Sequence, residues 1–387
     1  MRAAQNLREH HMVAKVHFFP LGNADTLRID LANGLKVLVD YADMRCADDN
    51  DDLRCDLPAE LRRDLSKAGR DYYDAVCITH LDDDHCKGFG GFFWLRHAKT
   101  YQGAERIKIN ELWVPAAALL EEGIDGDARL VRAEARHRLR EGKGVYIFSR
   151  PARLKKWMED NGIDFESRKH LIVDAGKLVP GYTKEGKAQA EFFVHSPFGW
   201  RQDENTVVDR NEDSIVMQVT LREGSRDSYL FLGSDANHET LSLIVQISKK
   251  HGNEGRMLWD LMKLFHHCSY LSLGPERGVD ETKAVPDVKW LFETQVRRGG
   301  IIVSPSWPIP EKGSKEDKDV QPPHRQAANH HRRVVRDLDG TFVVTMEQPS
   351  RARPKVFGYE ITAFGVALII GAPMVSSAAA SSTPRAG

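Results

Sequence analysis

Two imidazoles and three carboxylates stand within six consecutive positions of this sequence, directly after a short apolar stretch. They belong to Thr79-His80-Leu81-Asp82-Asp83-Asp84-His85, which follows a predicted buried strand at 75–79. Imidazole and carboxylate together are ligands that suit Zn, Mn or Fe. Gly88, Gly90 and Gly91 follow and free the backbone to turn tightly. The segment therefore predicts a metal-binding loop, whereas an isolated His–Asp pair would indicate only a solvated turn.

Other metal-ligating side chains follow other apolar stretches. Four of them come directly after a predicted strand, and the fifth stands a little downstream of one. Side chains at strand ends lie on a rigid scaffold and can face one crevice. We therefore expect them to join the first loop in a single site. These residues are His195, Asp235, His266, His267 and His324.

Short strands and amphipathic helices must position these side chains. The pattern predicts helices at 57–69, 127–141, 152–161 and 239–250. Strands in two groups, with helices between their members, predict a layered α/β protein. The predicted strands are 13–19, 26–31, 35–41, 75–79, 111–115, 191–195, 214–221, 229–233, 262–265, 301–303 and 341–346.

The chain is close to electrically neutral, with 55 Lys and Arg against 56 Asp and Glu. This excludes a protein that coats nucleic acid through bulk charge. One stretch departs from the balance, because residues 129–156 carry ten basic and two acidic side chains, with Tyr146 and Trp157 among or beside them. A nucleotide or phosphodiester polymer would be attracted to such a surface, and a solvated helix face is the alternative. The predicted substrate-binding residues are Arg136, Arg140, Lys155 and Lys156.

Composition also suggests how the chain is divided. Residues 1–12 form a polar leader without the apolar core of a secretory signal. A main domain is predicted at 13–346, with a basic helical insertion at about 116–169. The tail, 347–387, is Arg/Pro-rich, then apolar, then Ser/Ala-rich, and is predicted to be partly disordered.

Neither membrane insertion nor a disulfide framework is expected. The longest apolar run covers only part of the tail, and a bilayer span needs about 20 residues. The five cysteines are irregularly spaced and form no CxxC pair, which disfavours disulfides and zinc ribbons. The sequence therefore predicts a cytoplasmic protein with reduced thiols.

The histidine–aspartate loop resembles the HxHxDH signature of the metallo-β-lactamase fold, with Asp82 in place of the second histidine. The variant is most similar to the soluble hydrolase domain of ComEC-type bacterial competence proteins, which reads HxDxDHxGG. Other segments of this sequence resemble motifs of that domain in the same order. They are listed here with the family's motif in parentheses: 21–25 (VGQGD), 39–42 (IDGG), 211–216 (NxxSLVL), 232–235 (LTGD), 263–269 (LKVxHHGS), 301–304 with 323–324 (IISxG…HP) and 339–340 (DG).

The resemblance spans about residues 13–346 and implies an α/β fold of the αββα type, two mixed β-sheets flanked by helices. The sequence departs from the family at Asn23 and Ala24, which replace Gln and Gly, at Tyr41 and Ala42, which replace two glycines, and at Cys268, which replaces Gly. No membrane channel accompanies the domain, so DNA uptake is not implied.

Carried over residue by residue, the resemblance implies two divalent cations, Zn or Mn. Two cations about 3.5–4 Å apart would share a water and lower its pKa, and the resulting hydroxide would attack phosphorus or a carbonyl carbon. Asp84 and His324 are the predicted catalytic residues; His324 would steady the transition state or leaving group, or donate a proton. Asp40 and His266 would not bind the metal but would contact the residues that do. His267 is preferred over His266 as the metal ligand because it stands two positions before Ser269. The implied ligands are His80, Asp82 and His195 for one cation, Asp84, His85 and His267 for the other, and Asp235 as a bridge.

The predicted activity is that of a phosphodiesterase or nuclease acting on nucleic acid or a nucleotide. Two alternatives remain open. One is a hydrolase of esters, thioesters or lactones that uses the same metals. The other is a non-catalytic binding module that keeps the fold and the metal.

Overall fold

Two β-sheets pack face to face in this protein, and helices cover both outer faces. The computed structural model describes residues 12–186, 188–204 and 208–369. The four-layer α/β arrangement predicted from the sequence is confirmed. Residues 1–11 of the predicted leader and 370–387 of the predicted tail lie outside the described residues. Within the described ranges, no helix is both long and apolar enough to cross a membrane.

Fifteen strands occur in the described part of the chain. Most are short and rich in Val, Ile, Leu and Phe, as strands with at least one buried face should be. In chain order they are β1 (Lys15–Phe18), β2 (Leu27–Asp30), β3 (Lys36–Val39), β4 (Tyr72–Cys77), β5 (Lys108–Pro115), β6 (Val145–Phe148), β7 (Ile172–Val173), β8 (Ala190–Ser196), β9 (Val216–Glu223), β10 (Arg226–Leu232), β11 (Trp259–Lys263), β12 (Val296–Ser304), β13 (Thr341–Val344), β14 (Phe357–Thr362) and β15 (Gly365–Leu368).

Eleven α-helices accompany these strands in the described ranges. Their ends follow local signals; for example, Asp56 caps the first helix by accepting a hydrogen bond from the Ala59 N–H. In chain order they are α1 (Leu57–Lys67), α2 (Asp83–Cys86), α3 (Phe89–Phe92), α4 (Ala116–Leu120), α5 (Gly126–Glu141), α6 (Ala152–Asp160), α7 (Phe165–Arg168), α8 (Gly199–Glu204), α9 (His238–Lys250), α10 (Pro286–Glu293) and α11 (Arg325–Arg336).

Each sheet is antiparallel at one side and parallel at the other. The first has the order β15-β14-β1-β2-β3-β4-β5-β6-β7 and is parallel from β3 to β7. The second has the order β13-β12-β11-β10-β9-β8 and is parallel from β10 to β13. In a parallel arrangement the carboxyl ends of neighbouring strands meet at one edge, so the loops after β3 and β4, and those after β10 and β11, can converge.

Three buried apolar clusters fill the spaces between the four layers. The central one joins the two sheets and includes Val37, Phe192 and Leu230. A second lies between the first sheet and helices such as α1 and α5, and a third between the second sheet and helices α9, α10 and α11. The packed sheets therefore form a rigid base for the loops at their shared edge.

The predicted insertion at 116–169 is part of the first sheet's own framework. Helix α5 covers the sheet with buried Val131, Ala135 and Leu139, and β6 then pairs in parallel with β5. The basic composition of α5 and α6 suggested an addition to the fold, but α5 buries an apolar face and also a paired Arg138 and Glu134 against the sheet. A charged amphipathic helix can still bury one apolar face.

The predicted tail is also partly structured. Strand β14 pairs with β1, and β15 pairs with β14, so residues 357–368 complete the first sheet. Sequence composition indicated partial disorder for 347–387 because Arg, Pro, Ser and Ala dominate its flanks. Strand β14 joins the sheet by pairing with β1, which lies more than 300 positions earlier in the chain, so this pairing has no local signal.

Candidate metal centre

Four buried side chains converge at the edge where the carboxyl ends of the parallel strands meet. Asp25 comes from the connection between β1 and β2, His85 from the segment after β4, Asp235 from the loop after β10, and His267 from the loop after β11. One potential ligand atom from each lies within 4.8 Å of all the others. Asp235, His85 and His267 were predicted from the sequence to belong to one centre, and the structure brings them together.

Short distances connect these side chains and add a fifth. Asp235 lies between the two imidazoles, with Oδ1 3.3 Å from His85 Nε2 and Oδ2 3.6 Å from His267 Nε2. Asp25 Oδ2 is 3.7 Å from His85 Nε2. Asp84 Oδ2 is 3.1 Å from His267 Nε2, so this predicted ligand adjoins the cluster. Five side chains thus face one small volume.

Several of these atoms have no hydrogen bond in the part of the chain that the structure describes. They are Asp25 Oδ1, His85 Nε2 and Asp235 Oδ1, all buried; the last two lie 3.3 Å apart and attract each other only when His85 is protonated. A buried polar atom without a partner is destabilising by about 1–3 kcal/mol, so such atoms are uncommon unless a ligand or water pairs with them. Nitrogen and carboxylate oxygen are donors that Zn and Mn accept. The residues present therefore fit a divalent cation.

Both cluster histidines are oriented from behind. Asp40 Oδ2 is 2.9 Å from His85 Nδ1, and Asp40 Oδ1 accepts a hydrogen bond of 2.7 Å from the Thr79 N–H. His267 Nδ1 is 2.8 Å from the Pro305 carbonyl oxygen. Donation through Nδ1 leaves each Nε2 directed at the cluster, which is how ligating histidines are usually held. Asp40 thus has the contact expected of the supporting residue predicted from the sequence.

The loop that carries His267 has an unusual backbone. His266, His267 and Cys268 have φ values of 45°, 50° and 67°, in the left-handed region that side chains other than Gly seldom adopt. Each such residue costs on the order of 1 kcal/mol and is found mainly where the surroundings demand it. This backbone carries the His267 ring toward the cluster, where its Nδ1 lies 2.8 Å from the Pro305 carbonyl oxygen.

Charge within the cluster raises the pKa values of both its histidines. Burial opposes ionisation of His267, but the carboxylate of Asp235 and the hydrogen bond to Asp84 outweigh it and raise the pKa to about 9. His85 follows the same pattern: burial is outweighed by Asp40 and Asp235, and its pKa is raised. Without a metal, imidazolium and carboxylate therefore compensate one another, and a cation must displace protons to bind.

Asp25 and Lys263 were missed as site residues by sequence reasoning. The buried Lys263 ammonium contacts the Asp25 carboxylate and donates a hydrogen bond of 2.7 Å to the Gly233 carbonyl. This ion pair joins the β1–β2 connection to the ends of β10 and β11. Both residues lie inside segments that resemble the competence-protein domain, 21–25 and 263–269, so the motif match was the available signal.

His80 and Asp82 form a second, smaller group beside the cluster. His80 Nδ1 lies 3.2 Å from Thr79 Oγ1 and 3.3 Å from Ser234 Oγ, and His80 Nε2 is 3.4 Å from Asp82 Oδ2. Asp82 Oδ1 accepts a hydrogen bond of 2.6 Å from Arg210 Nη1. Sequence reasoning did not identify Arg210, because it lies 128 positions after Asp82 and in no recognised motif.

The structure contradicts the prediction that His195 ligates the same metal as His80 and Asp82. Its Nε2 lies 2.9 Å from the Arg256 carbonyl oxygen, and its ring stacks on Phe231 at 5.3 Å between centroids. It lines a separate cavity of about 660 Å³ against α9. A β-bulge at this point of β8 and strand alternation direct His195 to the outer face of the sheet. The predicted seven-ligand centre is therefore not assembled.

Two further predicted residues lie beside the cluster. Of the two adjacent histidines, His267 contributes a nitrogen to the cluster and His266 does not. His266 is half-buried, and its ring centroid lies 6.3 Å from that of His267. His324 Nδ1 accepts a hydrogen bond of 3.3 Å from the Tyr270 N–H, and its Nε2 lies 3.3 Å from the Val320 carbonyl. Burial lowers the pKa of His324 to about 4, so its ring is neutral at pH 7 and proton donation from an imidazolium is disfavoured.

The predicted substrate-binding residues all contact residues on α6 or at its end. Arg136 lies over the Trp157 ring at 4.7 Å, and Arg140 donates to Asn161 at 3.2 Å. Lys155 and Lys156 face Glu159 and Asp160 at 3.9 and 2.9 Å. The sequence count over 129–156 missed these acidic partners because they lie just beyond it. The described contacts therefore weaken the prediction that this surface binds substrate.

No protein-family model and no curated protein matches the chain. Among solved structures, a diphosphatase from the PhnP family is 10% identical and aligns over 81% of this chain and 96% of its own, with a TM-score of 0.30. The metallo-β-lactamase MIM-1 from Novosphingobium pentaromativorans is 12% identical over 67% of this chain and 80% of its own, with a TM-score of 0.28. BJP-1, a subclass B3 metallo-β-lactamase of Bradyrhizobium japonicum, is 15% identical over 61% and 69%, with a TM-score of 0.26.

Proposed function

We propose that this protein is a metal-dependent hydrolase whose centre is the buried cluster of Asp25, His85, Asp235 and His267. The observation that carries the proposal is the convergence of four ligand atoms within 4.8 Å, several of them without a hydrogen bond in the described residues. Zn and Mn are the cations we expect, since both accept imidazole and carboxylate. An enclosed group of this composition, oriented by Asp40 and Pro305, is suited to holding a cation in a fixed position.

The chemistry divides between the cation and the surrounding residues. A bound divalent cation supplies Lewis acidity toward a phosphoryl or carbonyl oxygen and lowers the pKa of water. Asp84 borders the cluster and is more exposed than the other members, with 29% of its side chain accessible. It is placed to accept a proton from an attacking water molecule. His324 lies behind the 266–268 loop and can donate a hydrogen bond through Nε2 only if that atom leaves the Val320 carbonyl.

The substrate we propose is a phosphodiester, either in a nucleotide or in nucleic acid. One support is the ordered resemblance to the competence-protein hydrolase domain. The other is Arg210, a guanidinium 2.6 Å from Asp82 and partly exposed at the border of the centre, since arginine binds phosphate oxygens well. The helices α5 and α6 lend no further support, because the four side chains predicted to bind substrate already contact neighbouring residues.

Hydrolysis of bis-p-nitrophenyl phosphate and of single-stranded DNA, with Mn²⁺ or Zn²⁺, tests this proposal. Asp84→Ala should lower the metal-dependent rate by about 100-fold, the lower range for loss of a positioned acid or base. Asp83→Ala is the matched control, because Asp83 is the adjacent carboxylate but points to solvent, and its rate should stay within about twofold of wild type.

Three outcomes would contradict the proposal. Absence of metal-dependent turnover on both substrates removes the phosphodiesterase assignment. Equal losses in Asp83→Ala and Asp84→Ala place the chemistry elsewhere. Turnover of a carboxyl ester, thioester or lactone without any phosphodiester cleavage would show that the protein is a hydrolase of such esters and not a phosphodiesterase.

A further inference from the structure

Arg210 occupies the region in which the sequence resemblance places a second metal cation. Its Nη1 donates a hydrogen bond of 2.6 Å to Asp82 Oδ1, the carboxylate predicted to bind that cation. The opposite side of the guanidinium is held by Glu121, with Nε 2.9 Å from Oε1 and Nη2 2.7 Å from Oε1. Asp82 is thus paired with a positive side chain, as Asp25 is with Lys263, but unlike Asp25 it belongs to no group of converging ligand atoms found in the described residues.

The remaining ligands predicted for the second cation do not form a site. His195 lies on the outer face of the second sheet and bonds to the Arg256 carbonyl. His80 retains a free Nε2, buried and without a hydrogen bond in the described residues, but its near carboxylate is Asp82. Protein metal sites of this kind ordinarily offer three or more side-chain ligands. His80 and Asp82 would need the predicted bridge Asp235 as a third ligand, and in the described residues Asp235 converges with Asp25, His85 and His267 instead.

The guanidinium charge of Arg210 is permanent in this setting. Hydrogen bonds to Glu121 and Asp82 outweigh partial burial and raise its pKa above the ordinary value, so it stays protonated at every accessible pH. About 30% of the side chain remains exposed. The cation is therefore fixed by two carboxylates and still open to solvent on one side.

We propose that the centre binds one divalent cation and that Arg210 supplies the second positive charge. This inference rests on the proposed metal-dependent hydrolase and specifies how its charge is built. A guanidinium carries five N–H groups, and the contacts to Glu121 and Asp82 use three of them. The other two can donate to an anionic oxygen of a phosphodiester, for which the planar arginine group is well suited.

Metal stoichiometry tests the first half of this inference without any need for turnover. Isothermal titration with Mn²⁺ or Zn²⁺, checked by native mass spectrometry, should give one equivalent per chain for wild type. Asp82→Asn should still bind one equivalent with a Kd within about threefold, whereas Asp235→Asn should weaken binding by at least about 100-fold. The two variants carry the same substitution at two predicted ligands, and circular dichroism of each metal-free protein verifies folding.

Binding of inorganic phosphate to the metal-loaded protein tests the second half. Arg210→Met should weaken phosphate binding by at least about tenfold, in line with the loss of a charge-assisted pair. Arg210→Lys should restore part of it, because the charge returns without the planar geometry. Arg222→Met is the control, since Arg222 pairs with Asp227 on the far part of β9 and β10 and should leave phosphate affinity unchanged.

The outcomes separate this inference from the proposal on which it rests. Two tightly bound equivalents in wild type, or loss of one equivalent in Asp82→Asn, would overturn the one-cation centre while leaving a metal-dependent hydrolase intact. Unchanged phosphate binding in Arg210→Met would overturn the role of the arginine. A wild-type protein that binds no cation would instead remove the proposed function itself.

Discussion

Two groups of buried histidines lie in opposite surroundings in this molecule. His85 and His267 are buried among carboxylates, with Asp235 between them. His195 and His331 are buried among aromatic rings, the first stacked on Phe231 and the second 4.7 Å from Phe292 between ring centroids. All four imidazoles are nearly inaccessible to solvent. Burial alone therefore does not distinguish a candidate ligand from a packing residue.

The pKa values show the physical difference between the two groups. Burial lowers the pKa of His195 to about 4, and it lowers that of His331 well below its ordinary value, because neither ring has a nearby carboxylate. In the carboxylate group the same burial is outweighed, and the pKa of His267 is raised to about 9. Neighbouring carboxylates thus mark the histidines that can exchange a proton for a metal cation.

Removing one histidine from each group should have the most unequal effect on metal binding. His267→Ala deletes a nitrogen from the cluster and should weaken Mn²⁺ or Zn²⁺ binding by on the order of 1,000-fold, about 4 kcal/mol. His195→Phe keeps the stack on Phe231 and should change the Kd less than about threefold. Isothermal titration measures both. Equal losses would show that burial, and not the surrounding charge, defines the ligands.

Lowering the pH should destabilise the protein through the histidines that are buried among aromatic rings. A histidine whose pKa is lowered in the folded state favours folding above the unfolded value of about 6.5, and this stability is lost as the pH falls toward about 4. For His195 the loss amounts to at most about 3 kcal/mol. Urea unfolding of metal-free wild type and His195→Phe between pH 7 and 4 should show a shallower decline for the variant. Parallel curves would contradict the assignment.

Raising the pH should destabilise the metal-free protein through the histidines that lie among carboxylates. The raised pKa of His267 stabilises the metal-free protein fully below about 6.5, and this contribution is lost as the pH rises through about 9. We expect a decline of about 2 kcal/mol, since the protonated ring compensates the carboxylates only in part. Urea unfolding of the metal-free protein should show it, and His267→Gln should remove it. A metal-free protein that gains stability over this range would refute the charge compensation described for the cluster.

The smallest expected effect concerns the basic helices. Lys155→Gln with Lys156→Gln removes two charges from α6 that are paired with Glu159 and Asp160. Exposed pairs of this kind contribute about 0.3–0.5 kcal/mol, so phosphodiester turnover and its salt dependence should stay within about twofold of wild type. A marked loss of DNA cleavage that is specific to low salt would restore this surface as a substrate-binding site.

Much of the layered fold and one half of the site could be predicted from the sequence. Short strands with buried faces have a strong local pattern, and a polar residue directly after such a strand is carried to the edge of the sheet, as happens for Asp235. Of the helices in the described residues, α2, α3, α4, α7, α8, α10 and α11 were not predicted. Helix α11 carries charged and histidine residues along its length, which obscured its apolar face of Ala327, Val334 and Val335.

The other half of the site depends on features with no local signal. His195 alternates with Val194 along β8 and so faces away from the central cluster, but which face of β8 packs inward is decided only when the two sheets meet. Arg210 reaches Asp82 and Glu121 only through the tertiary fold. Sequence reasoning therefore identified candidate ligands more readily than it identified which of them meet.

Strands β14 and β15 have a consequence for the order in which this protein matures. Strand β14 pairs with β1, and β15 pairs with β14. The whole second sheet, β8 to β13, lies between β1 and β14 in the sequence. During synthesis on the ribosome, the amino-terminal half therefore emerges with β1 as an unpaired strand edge until almost the whole chain has been made. Unpaired edges are where nascent chains associate wrongly. Truncation before residue 357 would make that transient exposure permanent and should yield an aggregating product.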